Sequence, residues 1–104
     1  MASRLELHEE FCTLLGSRNA YFNSPESVKT NMKYPAIRYS KSGVDKKSAN
    51  NRAYNLVNEY EVVYMDYDPD SSMPDTILTH YPMCSFVRAY PKDGLNHTIF
   101  KLYY

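Results

Sequence analysis

Four apolar side chains near the N-terminus recur at the i, i+4, i+7, i+8 spacing that places them on one face of a helix. They are Leu7, Phe11, Leu14 and Leu15. Ser3 and Glu6 have the spacing of a capping box ahead of this run, and Gly16 behind it suits a left-handed helix stop. The pattern therefore predicts a first helix that begins at about Arg4 and ends at Gly16.

The longest alternation of apolar and polar residues covers residues 54–66 and is typical of a strand. One face of this strand would be apolar, while Glu59 and Glu61 in the middle of the other face would meet water. A second alternating run, residues 34–40, would pair with it as an antiparallel hairpin. Residues 41–53 show no apolar period, and we predict that they form a long, mobile, basic tip of this hairpin.

A second helix is predicted after the turn-forming residues 66–72. Ser72 and Asp75 have the spacing of a helix start, and Pro74 is suited to the first turn. The residues expected to face the core from this helix are Ile77, Leu78 and Tyr81. The helix would be short.

Three further runs are rich in β-forming residues, namely residues 20–22, 84–90 and 95–104. Turn-forming residues 91–94 separate the last two runs, which indicates neighbouring antiparallel strands. The element order is α-β-β-β-α-β-β, with no internal repeat and no linker. We predict one α+β domain over residues 1–104, with two helices packed on a mostly antiparallel sheet of four to five strands.

The composition fits one folded domain, since 43% of the 104 residues are hydrophobic and 23% are charged. Twelve basic residues balance twelve acidic ones, so no bulk charge draws the molecule to nucleic acid or to an anionic membrane. No apolar run is long enough to cross a bilayer, and the N-terminus lacks the apolar stretch of a signal peptide. We expect a soluble protein made inside a cell.

Aromatic usage departs from the norm, with eleven Tyr, four Phe and no Trp. Tyr joins an apolar ring to a hydroxyl that must be hydrated or paired, so it suits half-buried sheets and interfaces. Cys12 and Cys84 have neither metal-ligand spacing nor the density of a disulfide scaffold. We predict that both are reduced, buried thiols.

No residue pattern predicts a catalytic site or a cofactor. His8 is expected on the exposed part of the first helix, His80 at the end of the second and His97 in the last strand. None of the three has a partner at the spacing of a metal pair. The three glycines are widely separated and cannot form a phosphate-binding loop.

Asp66, Asp68 and Asp70 alternate like the first ligands of a calcium loop, and they could also suggest a magnesium-dependent nuclease. A calcium loop would need Gly and Glu where this chain has Ser71 and Ile77. Carboxylates also collect where a helix begins, because they complement its N-terminus. We therefore predict no metal site and retain these three residues only as metal candidates to test.

Five cations surround the predicted hairpin tip: Arg38, Lys41, Lys46, Lys47 and Arg52. They could contact phosphate backbones, or they could simply be solvated. A third possibility is that they meet acidic residues of a neighbouring copy, either Glu59 and Glu61 or the acids between residues 66 and 70. The sequence leaves these three alternatives open.

Three segments resemble those of small tail-terminator, or tail-completion, proteins of long-tailed bacteriophages. They are MKYPAIRYS (residues 32–40), YEVVYMDYDPDS (60–71) and LNHTIFKLYY (95–104). The resemblance also covers the order of elements along nearly the whole chain. It implies a ring of copies, a hexamer in this family, that caps the tail tube, ends its polymerisation and joins the tail to the head connector.

The resemblance also implies partners and a location. The partners would be other copies of the chain, the tail-tube protein and a head-connector or head-closure protein, with DNA at most passing through the ring. The protein would be part of the virion and would be assembled in the cytoplasm of the host bacterium. The basic tip and exposed Tyr residues would supply the contacts. The alternatives are a head-closure or neck protein of the same machine, or a small nucleic-acid-binding domain that uses residues 41–52.

Overall fold

The structure, a computed structural model, describes residues 4–23, 33–48 and 54–104, and for residues 44–48 and 54–57 it describes the backbone. Its elements follow the predicted order α-β-β-β-α-β-β. They are α1 (Arg4–Leu15), β1 (Ala20–Phe22), β2 (Ala36–Ser48), β3 (Tyr54–Asp66), α2 (Met73–His80), β4 (Cys84–Lys92) and β5 (Leu95–Tyr103). The predicted α+β fold class is confirmed.

The five strands form one sheet in the order β1-β2-β3-β5-β4. The short strand β1 pairs in parallel with β2, and every other neighbouring pair is antiparallel. The predicted hairpin between the second and third strands is therefore confirmed. Strands β1 and β4 lie at the two sides of the sheet.

One face of the sheet, the helix-covered face, carries the main core. Leu7 and Phe11 of α1 and Ile77 of α2 are fully buried against it. The strand residues that complete this core are Ala20, Ile37, Tyr39, Tyr60, Val62, Tyr64, Phe100 and Leu102. The apolar face predicted for the third strand thus faces the helices.

The opposite face of the sheet has a smaller apolar cluster, made of Ala36, Val63, Met65, Leu95 and Ile99. In the part of the chain that the structure describes, no helix packs on this face. The half-buried rings of Tyr21, Tyr34 and Tyr90 pack against the cluster instead. We call this surface the second face.

The predicted long loop at residues 41–53 is largely wrong, because β2 does not end at Ser40. It continues to Ser48 and stays paired with β3, with a register shift between Lys41 and Gly43. The loop was predicted because these residues have no apolar period. The pairing of β2 with β3 continues without an apolar period, because backbone hydrogen bonds need no core-facing side chains. This strand also begins later than predicted, at Ala36 and not at residue 34.

The outer part of this hairpin extends beyond the rest of the sheet. Strand β5 pairs with β3 only from Glu59 onwards, whereas β2 and β3 remain paired as far as Ser48 and Tyr54. Residues 43–48 and 54–58 therefore form a two-stranded projection, which we call the ribbon. The molecule measures 50 × 25 × 22 Å along its principal axes. Residues 49–53, the remainder of the predicted tip, lie outside the described residues.

The turn between β4 and β5 is shorter than the predicted turn, which covered residues 91–94. Pro91 and Lys92 belong to β4, and only Asp93 and Gly94 form the turn, with φ angles of 55° and 76°. Two successive positive φ angles match the twist of an antiparallel hairpin. Pro91 is compatible with the strand because β4 lies at a sheet edge.

Three predictions about the helix ends have different outcomes. Ser72 precedes α2 as predicted, but its side chain makes no capping hydrogen bond. The hydroxyl of Ser71 accepts from the Met73 backbone N–H instead, at 3.2 Å. Gly16 ends α1 with a φ of 70°, as predicted. The proposed capping partner Ser3 lies outside the described residues.

His8, which was predicted to be exposed, is half-buried. Its Nδ1 atom lies 2.7 Å from the hydroxyl oxygen of Tyr39, to which it is hydrogen-bonded. Helix periodicity identified the buried face of α1. It could not show that Tyr39 of β2 lies at the edge of that face, beside His8. Both cysteines are free thiols as predicted; Cys12 is buried, while Cys84 is only half-buried.

Replacing Gly94 with Ala should lower the free energy of unfolding by roughly 1–2 kcal/mol, the cost of a left-handed conformation for a residue with a Cβ. A Cβ at this position would meet nothing within 4 Å, so the cost comes from the backbone alone. Urea unfolding measures it. Gly94→Asn is the matched control, because Asn tolerates this conformation better, and equal losses for both variants would contradict the explanation.

The stability of the wild-type protein should fall as the pH drops below the ordinary His pKa of about 6.5. Burial, with the charges of Arg4 and Arg18, lowers the pKa of folded His8. The unfolded chain therefore binds the proton more readily, and acid favours unfolding. The variant His8→Gln should show a smaller loss of stability between pH 7 and 5 in urea titrations. An unchanged pH dependence would show that another group is responsible.

Candidate assembly surfaces

The metal candidates Asp66, Asp68 and Asp70 form the turn between β3 and α2. Asp66 accepts a hydrogen bond from the Tyr64 hydroxyl at 2.7 Å and another from the Asp68 backbone N–H at 3.2 Å. Asp68 in turn accepts from the Asp70 backbone N–H at 2.9 Å. Burial raises the pKa of Tyr64 to about 12, so its hydroxyl stays protonated and able to donate at neutral pH. Two of the three carboxylates thus hold the turn in shape.

The other side chains that could bind a metal are those of His, Cys, Asp and Glu residues elsewhere in the chain. Within the described ranges, no group of three or more His, Cys, Asp or Glu residues is arranged to hold a metal ion. His80 lies with its Nε2 atom 3.5 Å from Glu10 Oε1, on the outside of the helices. His97 is buried, with its Nδ1 atom 3.0 Å from the Leu95 carbonyl oxygen and its ring stacked on Tyr90.

Of the five predicted cations, the structure describes the side chains of two, Arg38 and Lys41. Arg38 is half-buried opposite Val63, and Lys41 is exposed opposite Tyr60. The backbones of Lys46 and Lys47 lie in the ribbon. Arg52 lies outside the described residues. The cations are therefore spread along β2 and into the ribbon.

The two predicted acids of β3 differ in their surroundings. Glu59 is half-buried, and its Oε1 atom lies 3.3 Å from the ammonium nitrogen of Lys101. It also approaches the backbone of β2 closely, because a Cβ added at Gly43 would stand 3.2 Å from Glu59 Oε2. Glu61 is exposed and has no hydrogen-bond or ion-pair partner among the described residues. Glu61 is thus the acid of this pair that is available to another molecule.

A groove of about 270 Å³ crosses the second face near the base of the ribbon. Its side-chain lining includes Ser42, Glu59, Glu61, Val87, Ile99 and Lys101. Ile99 is buried in it, whereas Val87 is 51% exposed. We call it the Glu61 groove; it combines the apolar side chains of Val87 and Ile99 with the Glu61 carboxylate and the ion pair between Glu59 and Lys101.

The beginning of β4 presents a further apolar surface that the sequence did not predict. Met83, Phe86 and Val87 are 44%, 55% and 51% exposed, and we call them the β4 patch. A register shift between Phe86 and Arg88 lies in the middle of this patch. The sequence marked residues 84–90 as β-rich, but it could not show that this strand lies at the edge of the sheet. Large apolar side chains that stay exposed along an edge strand are candidates for contact with another molecule.

Most of the described Tyr side chains are not exposed, which limits how many of them could supply the partner contacts expected of them. Tyr39, Tyr60, Tyr64 and Tyr81 are buried, and among the Tyr residues whose side chains are described only Tyr67 is exposed. The buried Tyr rings pack against other side chains in the core. Tyr39, for example, packs with its ring centroid 5.0 Å from that of Phe11. The apolar surface that remains comes mainly from other residue types.

Comparisons with known proteins do not add to this description. No protein family, no curated protein and no solved structure matches the chain. In the part of the chain that the structure covers, neither helix has the length and apolar character needed to cross a membrane.

The variant Asp66→Ala should lower the free energy of unfolding by about 1–3 kcal/mol, because it leaves the buried hydroxyl of Tyr64 with one partner fewer. Asp70→Ala is the control, since the Asp70 carboxylate makes no hydrogen bond with a described residue, and it should change stability by less than about 0.5 kcal/mol. Urea unfolding with and without calcium measures both. A stabilisation by calcium that Asp66→Ala removes would instead show that the acids bind metal.

Proposed function

We propose that this chain is a structural virion protein that caps the bacteriophage tail tube, ends its polymerisation and joins the tail to the head connector. The observation that carries this proposal is the presence of two separate candidate contact surfaces on one small domain. The ribbon projects from β2 and β3, while the β4 patch lies on the outermost strand beyond β5. The three segments that resemble tail-terminator proteins support the same proposal.

Two different surfaces on one chain favour head-to-tail contacts. A contact that joins the ribbon side of one copy to the β4 side of the next is heterologous, so each new copy presents the same free surface again. Such contacts close into a ring when the rotation between neighbours suits, and otherwise they continue as a filament. The proposed function needs the closed ring.

The proposed mechanism is geometric and involves no chemical reaction. One side of the ring would copy the end of the tail tube, while the other side would be unable to accept another layer of tube protein. The head connector would bind this second side. Function would then depend on the shapes and charges of the contact surfaces.

The purified protein should form rings visible by electron microscopy, and it should stop the elongation of tail tubes when it is mixed with polymerising tube protein. The variant Phe86→Asp/Val87→Asp should lose both properties, because it places charges in the β4 patch. Leu5→Asp is the matched control, since Leu5 is 65% exposed on α1, away from this patch. Measured tube lengths and particle images give the result.

A wild-type protein that remains monomeric and leaves tube length unchanged would contradict the proposed function. Rings that bind the head connector but not the tail tube would indicate the alternative, a head-closure protein of the same machine. The position of the subunit in a map of the virion separates these two outcomes.

A further inference from the structure

The register shift in β4 marks a bulge, in which this strand has one residue more than its neighbour. Phe86 pairs with Phe100 and Arg88 pairs with Ile99, so Val87 has no partner in β5. A bulge interrupts the alternation of faces and can redirect a side chain. As a result, two consecutive residues contribute to the second face. Val87 lines the Glu61 groove, and Arg88 lies in register with Ile99 of the second-face cluster.

Arg88 is an exposed cation that forms no ion pair with a described residue. Its guanidinium carbon lies 5.3 Å from the centre of the Tyr90 ring, which packs against the second-face cluster. This contact keeps the positive charge on the second face. Of the charged side chains that line the groove, Lys101 and Glu59 are paired with each other. Glu61 is the acid that remains.

Val87 adjoins both of these unpaired charges. It lines the groove beside Glu61, it precedes Arg88 in β4, and it is 51% exposed. Arg88 is in register with Ile99 and, through it, with Val63, while Glu61 lies two residues before Val63 on β3. Ordinary strand spacings then separate the Cα atoms of Glu61 and Arg88 by about 12 Å. An exposed apolar side chain with an acid on one side and a cation on the other forms a surface that is complementary to itself.

We infer that this surface binds a second copy of the chain across a two-fold axis, with Arg88 of each copy paired with Glu61 of the other. The rotation that exchanges the two charges also brings the two Val87 side chains together near the axis. Sheets that pack face to face lie about 10 Å apart, a distance that an Arg and a Glu side chain span together. Such a contact is isologous, so it joins two copies and offers no equivalent surface to a third.

Two other exposed cations fit Glu61 less well. Lys41 lies opposite Tyr60, a residue of the helix-covered face. Lys92 is the last residue of β4 and pairs with Leu95, at the end of the strand away from Val87. A contact through either lysine would leave the exposed side chain of Val87 uncovered.

This inference goes beyond the proposed function, because a ring needs head-to-tail contacts and this contact is symmetric. The two contacts compete, since Val87 also belongs to the β4 patch. A chain held in the symmetric pair cannot use the whole patch to join a ring. The pair therefore has to separate, at least at Val87, before the ring contact forms.

Charge exchange tests the ion pairs in solution, without tube protein. Glu61→Arg and Arg88→Glu should each weaken pairing of the chains by roughly tenfold or more, because like charges then meet in the contact. The double variant Glu61→Arg/Arg88→Glu should regain pairing, since each charge again meets its opposite. Light scattering coupled to size-exclusion chromatography measures the mass, and circular dichroism checks the fold. Asp75→Lys is the matched control, because it reverses an exposed acid on α2, on the other side of the sheet, and should leave pairing unchanged.

A single introduced cysteine tests the symmetry of the contact. Val87→Cys should form a disulfide between two chains under mild oxidation by oxidised glutathione, because a two-fold axis places the same residue of both copies side by side. The background is Cys84→Ser, so that the other native thiol, Cys12, is buried. Asp75→Cys in the same background is the control and should cross-link far more slowly. A non-reducing gel measures the yield.

Cross-linking of Val87→Cys no faster than that of the control would overturn the inference. So would a folded Glu61→Arg variant that pairs at wild-type strength, a double variant that fails to recover, or a wild-type chain that stays monomeric at high concentration. Chains that cap tail tubes without this cross-link would contradict the inference alone. Chains that show the cross-link but neither form rings nor cap tubes would contradict the proposed function alone.

Discussion

The packing around Tyr39 is the interaction on which the rest of the structure depends. Its ring contacts Phe11 of α1, Phe22 of β1 and Tyr60 of β3, with centroid distances of 5.0, 5.1 and 6.1 Å. One side chain of β2 thus joins the first helix to the two strands on either side of β2. Its hydroxyl lies at the edge of this cluster, where it is hydrogen-bonded to His8 at 2.7 Å. The hydroxyl of a buried Tyr is stabilised by such a partner.

The use of Tyr in the core changes what is available on the surface. Tyr64 and Tyr104 follow the same rule as Tyr39, because their hydroxyls are paired with the carboxylates of Asp66 and Glu10. Each of these pairs occupies an acidic side chain that could otherwise bind a cation from another molecule. Glu61 lies on the second face, away from these core Tyr hydroxyls. The chemistry of the core thereby helps decide which acids remain for contacts.

The fold class and the element order could be predicted from the sequence because local patterns determine them. Leu7 and Phe11 marked the buried face of α1, and the alternation around Val62 and Tyr64 gave the bounds of β3. The full length of β2 could not be predicted, because its outer half is held by pairing with β3 and not by a buried face.

Features that depend on the sheet order were also beyond prediction. Phe86 and Val87 look like core residues in the sequence, and only the position of β4 at the sheet edge shows that they are exposed. Glu59 and Glu61 look equivalent in the sequence, yet Lys101 from β5 pairs with one of them. The five cations formed one group in the sequence, whereas the described ones lie at different depths along β2. The assembly surfaces therefore depend on contacts between residues far apart in the chain.

The register shift of β4 between Phe86 and Arg88 has a consequence for how copies can join. A regular outer strand is a template on which further strands can add without limit. Here the shift interrupts the row of outward backbone groups, and Pro91 removes one donor near the end of the strand. An edge of this kind leaves side chains, and not a continuous row of backbone groups, for contact with another molecule. A chain with such an edge favours assemblies of finite size over an endlessly extended sheet.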